Sequence, residues 1–422
     1  MSSKNFIQVF EYQKLKIGED GFSENHLNSL VKFNEKNGNK YFTPIYRGVQ
    51  FNSYVGVIQV GGLTIEILPK ADNSDHPNKQ LWQSVLLNML RVCKHIQVDT
   101  VSETGLKRKN NSILEVYFEL FIREVEQLVK KGLIKKYRRV ENNQLTLKGK
   151  LVFSRDIQKN LIHKERFYCE HQVYDKDHQI HQIIFQALKI VDTLLSNRLK
   201  DRVKRLLYEF NDFTVREFTA KQFQDLKLDR KSKTYSKSLD ISKMLILNYS
   251  PNLNSGQDQM LTLLFDMNKL WEEYIYRILQ KHHDSNLYEI SAQSQDKFWE
   301  NKTIRPDIVI RNNKETFVID TKWKIVDSNN PADDDLKQMF AYNLHWKSSK
   351  SILLYPKITQ EDSKFGRYHH KPYRLSDDTF QEVENYCKVG FLSVVRDGAL
   401  RDSEILAEEI FLKLQSVLKQ NY

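Results

Sequence analysis

The 422-residue sequence predicts a multidomain protein of mixed α+β and α/β class, and three patterns carry that expectation. Residues 1–75 hold short runs rich in β-branched and aromatic side chains; two of them, within residues 54–70, meet at Gly61-Gly62, a hairpin signal. Residues 81–93 and 113–129 instead place apolar side chains at the helical period, among them Leu81, Val85, Leu86, Met89 and Leu90, and the second run stops at Gly132. From residue 260 the order reads helix, strand, strand, helix, strand, which suits a sheet with helices packed against it.

A chain of this length is too long for one ordinary core. A β-rich domain over 1–75, a mainly helical and basic middle over 76–255 and an α/β domain over 256–422 follow, with the turn-rich stretch 251–259 as the main boundary. Lys and Arg number 65 against 54 Asp and Glu, a net charge of +11 that favours a polyanionic partner, nucleic acid before membrane. Cys93, Cys169 and Cys387 are far apart and lack a C-x-x-C pairing, which excludes a disulfide framework or a structural zinc site and suits a reducing compartment. No leader pattern and no run of eighteen apolar residues is present, so a soluble cytoplasmic protein is expected.

In the middle region, residues 130–140 form a basic run that leads into LTLKGKLVFSRDI (145–157), and residues 222–237 set five cations around Tyr235. Either segment could hold phosphates or be a solvated face. Residues 177–195 and 199–210 continue the helical pattern. In the first helix of the C-terminal region Leu264, Met267, Trp271, Tyr274, Ile275 and Ile278 share a face; Glu272 lies at its margin and Glu273 opposite it.

Chemistry concentrates in residues 304–324, IRPDIVIRNNKETFVIDTKWK, read as two strands around a polar turn. If Ile310 faces Phe317, then Val309 faces Val318, Ile308 faces Ile319 and Asp307 faces Asp320, with directly opposed Cβ atoms about 4.5–5.5 Å apart. The period of two puts Lys322 on the face of Asp320 and sends Thr321 to the other. Two carboxylates and an ammonium at one sheet surface suit a hard cation such as Mg²⁺, which can activate water and neutralise charge on a phosphate.

After this hairpin, Pro331 and the acids Asp333 to Asp335 suit a helix start, Gln338 and Tyr342 fall on one face of that helix, and SILLY (351–355) is a short strand. Helix acid, Pro-Asp, Asp-x-Lys and Gln-x-x-x-Tyr in this order resemble the PD-(D/E)xK nuclease family, the last element its RecB-like branch. More widely, GVIQVGGLTIEILPK, LTLKGKLVFSRDI, FDMNKLWEEYI, PDIVI, IDTKWK and QMFAY resemble the McrC family, the endonuclease subunits of modified-cytosine-dependent McrBC restriction systems; Lys148-Gly149 stands where that family commonly shows Arg-Gly.

The resemblance implies Asp307 and Asp320 as Mg²⁺ ligands together with the Thr321 carbonyl, Lys322 as the catalytic lysine, Glu272 as a further metal-side acid, and Gln338 and Tyr342 as site support or backbone contacts. It also implies DNA, methylated in the family's manner, as substrate, and a hexameric McrB-like AAA+ GTPase as partner, docked by the N-terminal region. The chain lacks a G-x-x-x-x-G-K-[ST] loop and is not itself that motor. Two further possibilities are an adaptor that activates an NTPase ring and only binds nucleic acid, and a nuclease acting on RNA or unmodified DNA.

Overall fold

The computed structural model describes residues 6–71, 78–95, 112–195, 199–250, 259–324, 331–356, 362–369, 373–374, 380–381 and 384–415. It is a mixed α/β protein with eleven α-helices among those residues. The chain divides into two compact units: Met1–Ile58, Leu63–Asp99 and Leu264–Tyr422 form unit 1, and Gln59–Gly62 with Thr100–Leu263 form unit 2. The N-terminal region, expected as a domain of its own, thus shares a unit with the C-terminal region. Most of the 251–259 boundary stretch lies outside the described residues.

The N-terminal part of unit 1 contains β1 (Phe6–Phe10), β2 (Lys14–Lys16), α1 (Glu24–Lys36), β3 (Phe42–Ile45), β4 (Gly48–Phe51), β5 (Tyr54–Val60), β6 (Leu63–Leu68) and α2 (Lys79–Val92). β1 runs parallel to β6, and β5 is the next neighbour of β6. Gly61 and Gly62, at the β5–β6 turn, have φ of 53° and 81°, the left-handed pair a two-residue hairpin turn requires. β2, β4 and β3 form a separate three-stranded sheet.

Unit 2 contains α3 (Ile113–Lys131), β7 (Lys136–Gln144), β8 (Lys150–Leu151), α4 (Phe153–Asn160), β9 (Phe167–Asp175), α5 (Gln179–Leu194), α6 (Lys200–Glu209), α7 (Ala220–Gln224), α8 (Ser236–Leu247) and β10 (Tyr249–Ser250). The apolar faces of α3, α5, α6 and α8 bury one another. The basic run at 130–140 begins in the last turn of α3 and from Lys136 becomes strand β7, which pairs along nine residues with β9, and β8 takes the other side of β9. Alternation of half-buried and exposed positions along KYRRVENNQ gives the run its strand character despite its charge. Gly149, between β7 and β8, has φ +79°, and a Cβ there would lie 2.4 Å from the Glu170 carbonyl oxygen.

The chain returns to unit 1 along β11 (Met260–Asp266), so Leu264 belongs to a strand, not to the helix expected there. Asp266 ends that strand and caps α9 (Met267–His282), its carboxylate accepting from the Asn268 and Lys269 amides. There follow β12 (Glu289–Ala292), the β13 (Asp296–Trp299) and β14 (Lys302–Ile304) pair, β15 (Ile308–Arg311), β16 (Thr316–Thr321), α10 (Asp333–Trp346), β17 (Lys350–Pro356), β18 (Gly366–Arg367), the pair β19 (Tyr373–Arg374) and β20 (Phe380–Gln381), β21 (Tyr386–Leu392), β22 (Val395–Arg396), β23 (Ala399–Leu400) and α11 (Ser403–Gln415).

Six of these strands form a mixed sheet in the order β12-β15-β16-β17-β21-β18. β15 and β16 pair antiparallel in the expected register, Ile310 with Phe317, Val309 with Val318 and Ile308 with Ile319. β16, β17 and β21 are mutually parallel, so α10 serves as the crossover between β16 and β17. Met339 and Tyr342 of α10 sink into a core of Ile304, Val318, Leu353, Tyr355, Cys387, Val389 and Phe391, which fixes the helix over the ends of β16 and β17.

Gly149→Ala must strain both its left-handed backbone and the β8–β9 edge, a penalty of roughly 1–3 kcal/mol. The expected result is a melting temperature several degrees lower, read by circular dichroism, with unit 2's far-ultraviolet spectrum otherwise retained.

Candidate active site

Pro306 has no N–H to give a ladder, and the β15–β16 pairing stops at Ile308. Asp307 lies one residue beyond the last pair of that ladder. Its Oδ2 accepts from both the Thr321 amide, at 2.7 Å, and the Thr321 hydroxyl, at 2.9 Å. This corrects the expected face of Thr321, whose side chain turns toward the acids because the strand ends there. Asp320, only 2% exposed, pairs through Oδ2 with the Lys322 ammonium at 2.8 Å.

Burial raises both carboxyls above the ordinary aspartate range. For Asp320 the nearby Asp307 charge adds to burial, while Lys322 opposes it. Burial alone would lower the Lys322 ammonium, yet Asp320, Asp335 and Asp307 outweigh it and hold the lysine charged. One cation thus faces two desolvated acids, an arrangement with room for a further positive charge. Asp307 and Asp320 each have one oxygen engaged in these contacts, so the donor set fits a hard divalent ion bound by the second oxygens. Among the described residues no group of three His, Cys, Asp or Glu side chains stands in metal-holding geometry, so such an ion would draw its remaining ligands from carbonyl oxygen and water.

A relay fixes the lysine. Lys322 Nζ donates to Gln338 Oε1 at 3.2 Å, Gln338 Nε2 to the Tyr342 hydroxyl at 2.7 Å, and that hydroxyl to the Arg305 carbonyl at 2.8 Å. Tyr342 is 3% exposed, so it supports the site from the core and does not present its hydroxyl to a polymer. Glu272, from α9, accepts from Gln293 Nε2 at 2.7 Å, and burial followed by the Asp307 charge raises its carboxyl. The structure therefore bonds Asp307 to Thr321 and joins Asp320, Lys322, Gln338 and Tyr342 in a second set beside them, with Glu272 at the border.

Four participants were not singled out from the sequence. Asp335, expected only as a helix-dipole partner, lies 3.8 Å from Lys322 and 2.7 Å from Lys324. Its position three residues before Gln338 on α10 is the signal that could have found it. Gln293 adopts φ +51° while its amide donates to the Asp307 carbonyl, and Arg305 reaches the Gln293 side chain at 3.5 Å. Glu11, at the end of β1, accepts from Trp323 Nε1 at 2.6 Å and from the Lys70 amide at 2.9 Å. Trp323 also packs edge-on against Trp271 of α9, so these contacts seat the residue after Lys322.

A six-stranded mixed sheet with two acids and a lysine at the end of its antiparallel pair defines a protein of mixed α/β class. The chain belongs to the family described as the McrBC 5-methylcytosine restriction system component, whose model matches residues 49–356. It is similar to the McrC-containing half-complex of Thermococcus gammatolerans, refined from a tetradecameric assembly of McrB AAA+ hexamers with bound McrC, at TM-score 0.71 and 18% identity over 97% of this chain and 100% of that one. A cryo-EM structure of the Thermococcus gammatolerans McrBC complex is similar at TM-score 0.50 and 20% identity over 66% of this chain and 88% of that one. No curated protein matches the chain. Among the described residues no helix is long and apolar enough to cross a membrane.

Burial lifts the Glu11 carboxyl from 4.5 to about 7, against the lowering effect of the Trp323 and Lys70 hydrogen bonds. A raised acid binds its proton more tightly in the folded than in the unfolded chain, so its contribution is complete below about pH 4.5 and is lost as pH rises through about 7. Glu11→Gln should keep the Trp323 bond and remove that slope: thermal melts across this window will show the variant gaining on the parent as pH rises, whereas Glu11→Ala loses stability throughout.

Proposed function

We propose that this chain is the DNA-cleaving subunit of a modification-dependent restriction complex. It hydrolyses DNA phosphodiesters with Mg²⁺ when assembled with a hexameric McrB-like AAA+ GTPase, whose nucleotide hydrolysis it stimulates. The observation that carries this proposal is the bonded set Asp307–Thr321, Asp320–Lys322 and Lys322–Gln338–Tyr342 at the end of one sheet. Membership in the McrBC family and a fold shared with a McrC bound to McrB hexamers support the choice of substrate and partner.

Asp307, Asp320 and the Thr321 carbonyl would hold Mg²⁺, which when bound supplies an acidified water and a counter-charge for the phosphate. Lys322, kept cationic by its acid neighbours and aimed by Gln338, orients the attacking water and balances charge growing on the phosphoryl oxygens. Gln338 and Tyr342 are positioning residues that hold the ammonium between acid and substrate. Glu272, its carboxyl raised by burial and by the Asp307 charge, is the further acid that would face a bound cation. An adaptor that only binds nucleic acid would have no use for an acid pair, a lysine and a relay all kept intact.

Asp320→Ala should lower Mg²⁺-dependent cleavage at least a thousandfold while leaving assembly with the ring unchanged by size-exclusion chromatography. Full cleavage by that variant removes the proposal, and equal cleavage of methylated and plain DNA, or of RNA, reassigns the substrate.

The surface that meets the ring has its best support in unit 2, not in the N-terminal strands. Leu145, Leu147, Phe153, Ile157, Leu161 and Ile162 are all exposed, Phe153 by 70% and Ile162 by 87%, and Phe153 and Ile157 share a face of α4. Solvated apolar side chains in such density mark an interaction site. Phe153→Asp with Ile157→Asp should weaken ring binding about a hundredfold and abolish stimulation of its nucleotide hydrolysis, leaving the thermal melt of the free chain unchanged.

A further inference from the structure

Two basic stretches of unit 2, residues 130–140 and 222–237, are about ninety residues apart in the chain and meet in the fold. The Lys136 ammonium lies 2.9 Å from the Asp229 carboxylate and 3.3 Å from the Ser232 hydroxyl. Beside this junction is a cleft of about 340 Å³ whose lining includes Lys136, Tyr137, Arg138, Arg139, Arg216 and Lys227, with Asp177 as the one acid among the described residues that line it.

These cations fall into two groups. Lys136 is committed to Asp229, and Arg138 to Asp175 by a bidentate contact of 2.8–3.1 Å with Asp177 at 3.4 Å. Such pairs hold the wall of the cleft and leave little charge for a ligand. Arg216 and Lys227 are exposed and make no ion pair among the described residues, and Arg139, 77% exposed, reaches Glu170 only at 3.5 Å. Uncompensated like charges around one concavity oppose folding slightly and focus a positive potential into it. Tyr137, 72% exposed, lies against the ring of Tyr174 with centroids 4.7 Å apart, an aromatic face left in water.

We propose that this cleft binds the phosphate backbone of DNA through Arg139, Arg216 and Lys227, and that Tyr137 offers its ring to an unpaired base. Cations that track a backbone beside an exposed aromatic face are the chemistry of single-strand binding. An acidic protein segment would match the charge and leave the tyrosines without a role. The assignment rests on the proposal that the chain acts on DNA, but on none of the residues at the sheet edge.

The test uses the full chain carrying Asp320→Ala, so that labelled oligonucleotides stay intact, with anisotropy measured through a salt series. Adding Arg216→Ala and Lys227→Ala should weaken binding about tenfold and reduce the slope of log Kd against log salt by about two. Tyr137→Ala should weaken single-stranded more than duplex binding. Because Arg216 and Lys227 are exposed and make no ion pair among the described residues, unchanged thermal melts will accompany their loss. Unchanged affinity and slope while the parent still binds DNA overturn the cleft assignment alone; no DNA binding by the parent overturns the underlying proposal as well. Tighter binding of tripolyphosphate or polyglutamate than of the oligonucleotide at equal charge also overturns it, assigning the cleft to free polyphosphate or to an acidic protein.

Discussion

Taking two carboxylates out of water at one sheet edge carries a penalty of several kcal/mol for each ionised group, and much of unit 1 is arranged around meeting it at Asp307 and Asp320. Asp307 meets it with two donors from one residue, the amide and hydroxyl of Thr321. Asp320 meets it with an ammonium that is itself drawn into the site by three acids. Tyr342, Gln338 and the Arg305 carbonyl then consume the remaining donors and acceptors around the lysine, so that a change at any of them disturbs the charge pair. The balance is left incomplete: burial still holds both acids above their ordinary range.

Unit 2 shows the opposite economy. Its helices bury their apolar faces among themselves, yet the sheet β7-β9-β8 and helix α4 leave leucines, isoleucines, tyrosines and arginines in water. Unit 1 organises its polar groups inward around the acid pair, while unit 2 displays apolar and charged side chains outward.

The hairpin register was legible because a period of two and a polar turn over 311–316 allow one alignment that buries Ile308, Ile310, Phe317 and Ile319. Beyond the last paired residue the same rule failed: Pro306 ends the ladder, Asp307 lies one residue past its last pair, and Thr321 meets it where Asp320 was expected. Gln338 and Tyr342 were visible through their spacing, but their bonds to Lys322 and Arg305 depend on a crossover helix whose height over the sheet is set by Met339 and the core beneath it. β12 escaped notice because EISA has too few apolar residues to announce a strand. Leu264 was drawn into a helix by a continuous apolar run that a strand satisfies equally. Glu11 could not be found at all, since it lies 312 residues from Trp323 and no local pattern encodes a contact of that range.

That separation also bears on how the protein is made. Unit 2, apart from Gln59–Gly62, is a continuous insertion, so nearly all of its chain has emerged before the C-terminal segment of unit 1 is synthesised. The first strands of unit 1 must wait for Trp323 and α9 to complete their core, and the loop closed by that contact is among the longest a chain of this size can form. A truncated or interrupted product therefore carries the outward-facing surface of unit 2 without the acid pair. The order of synthesis places the acid pair last.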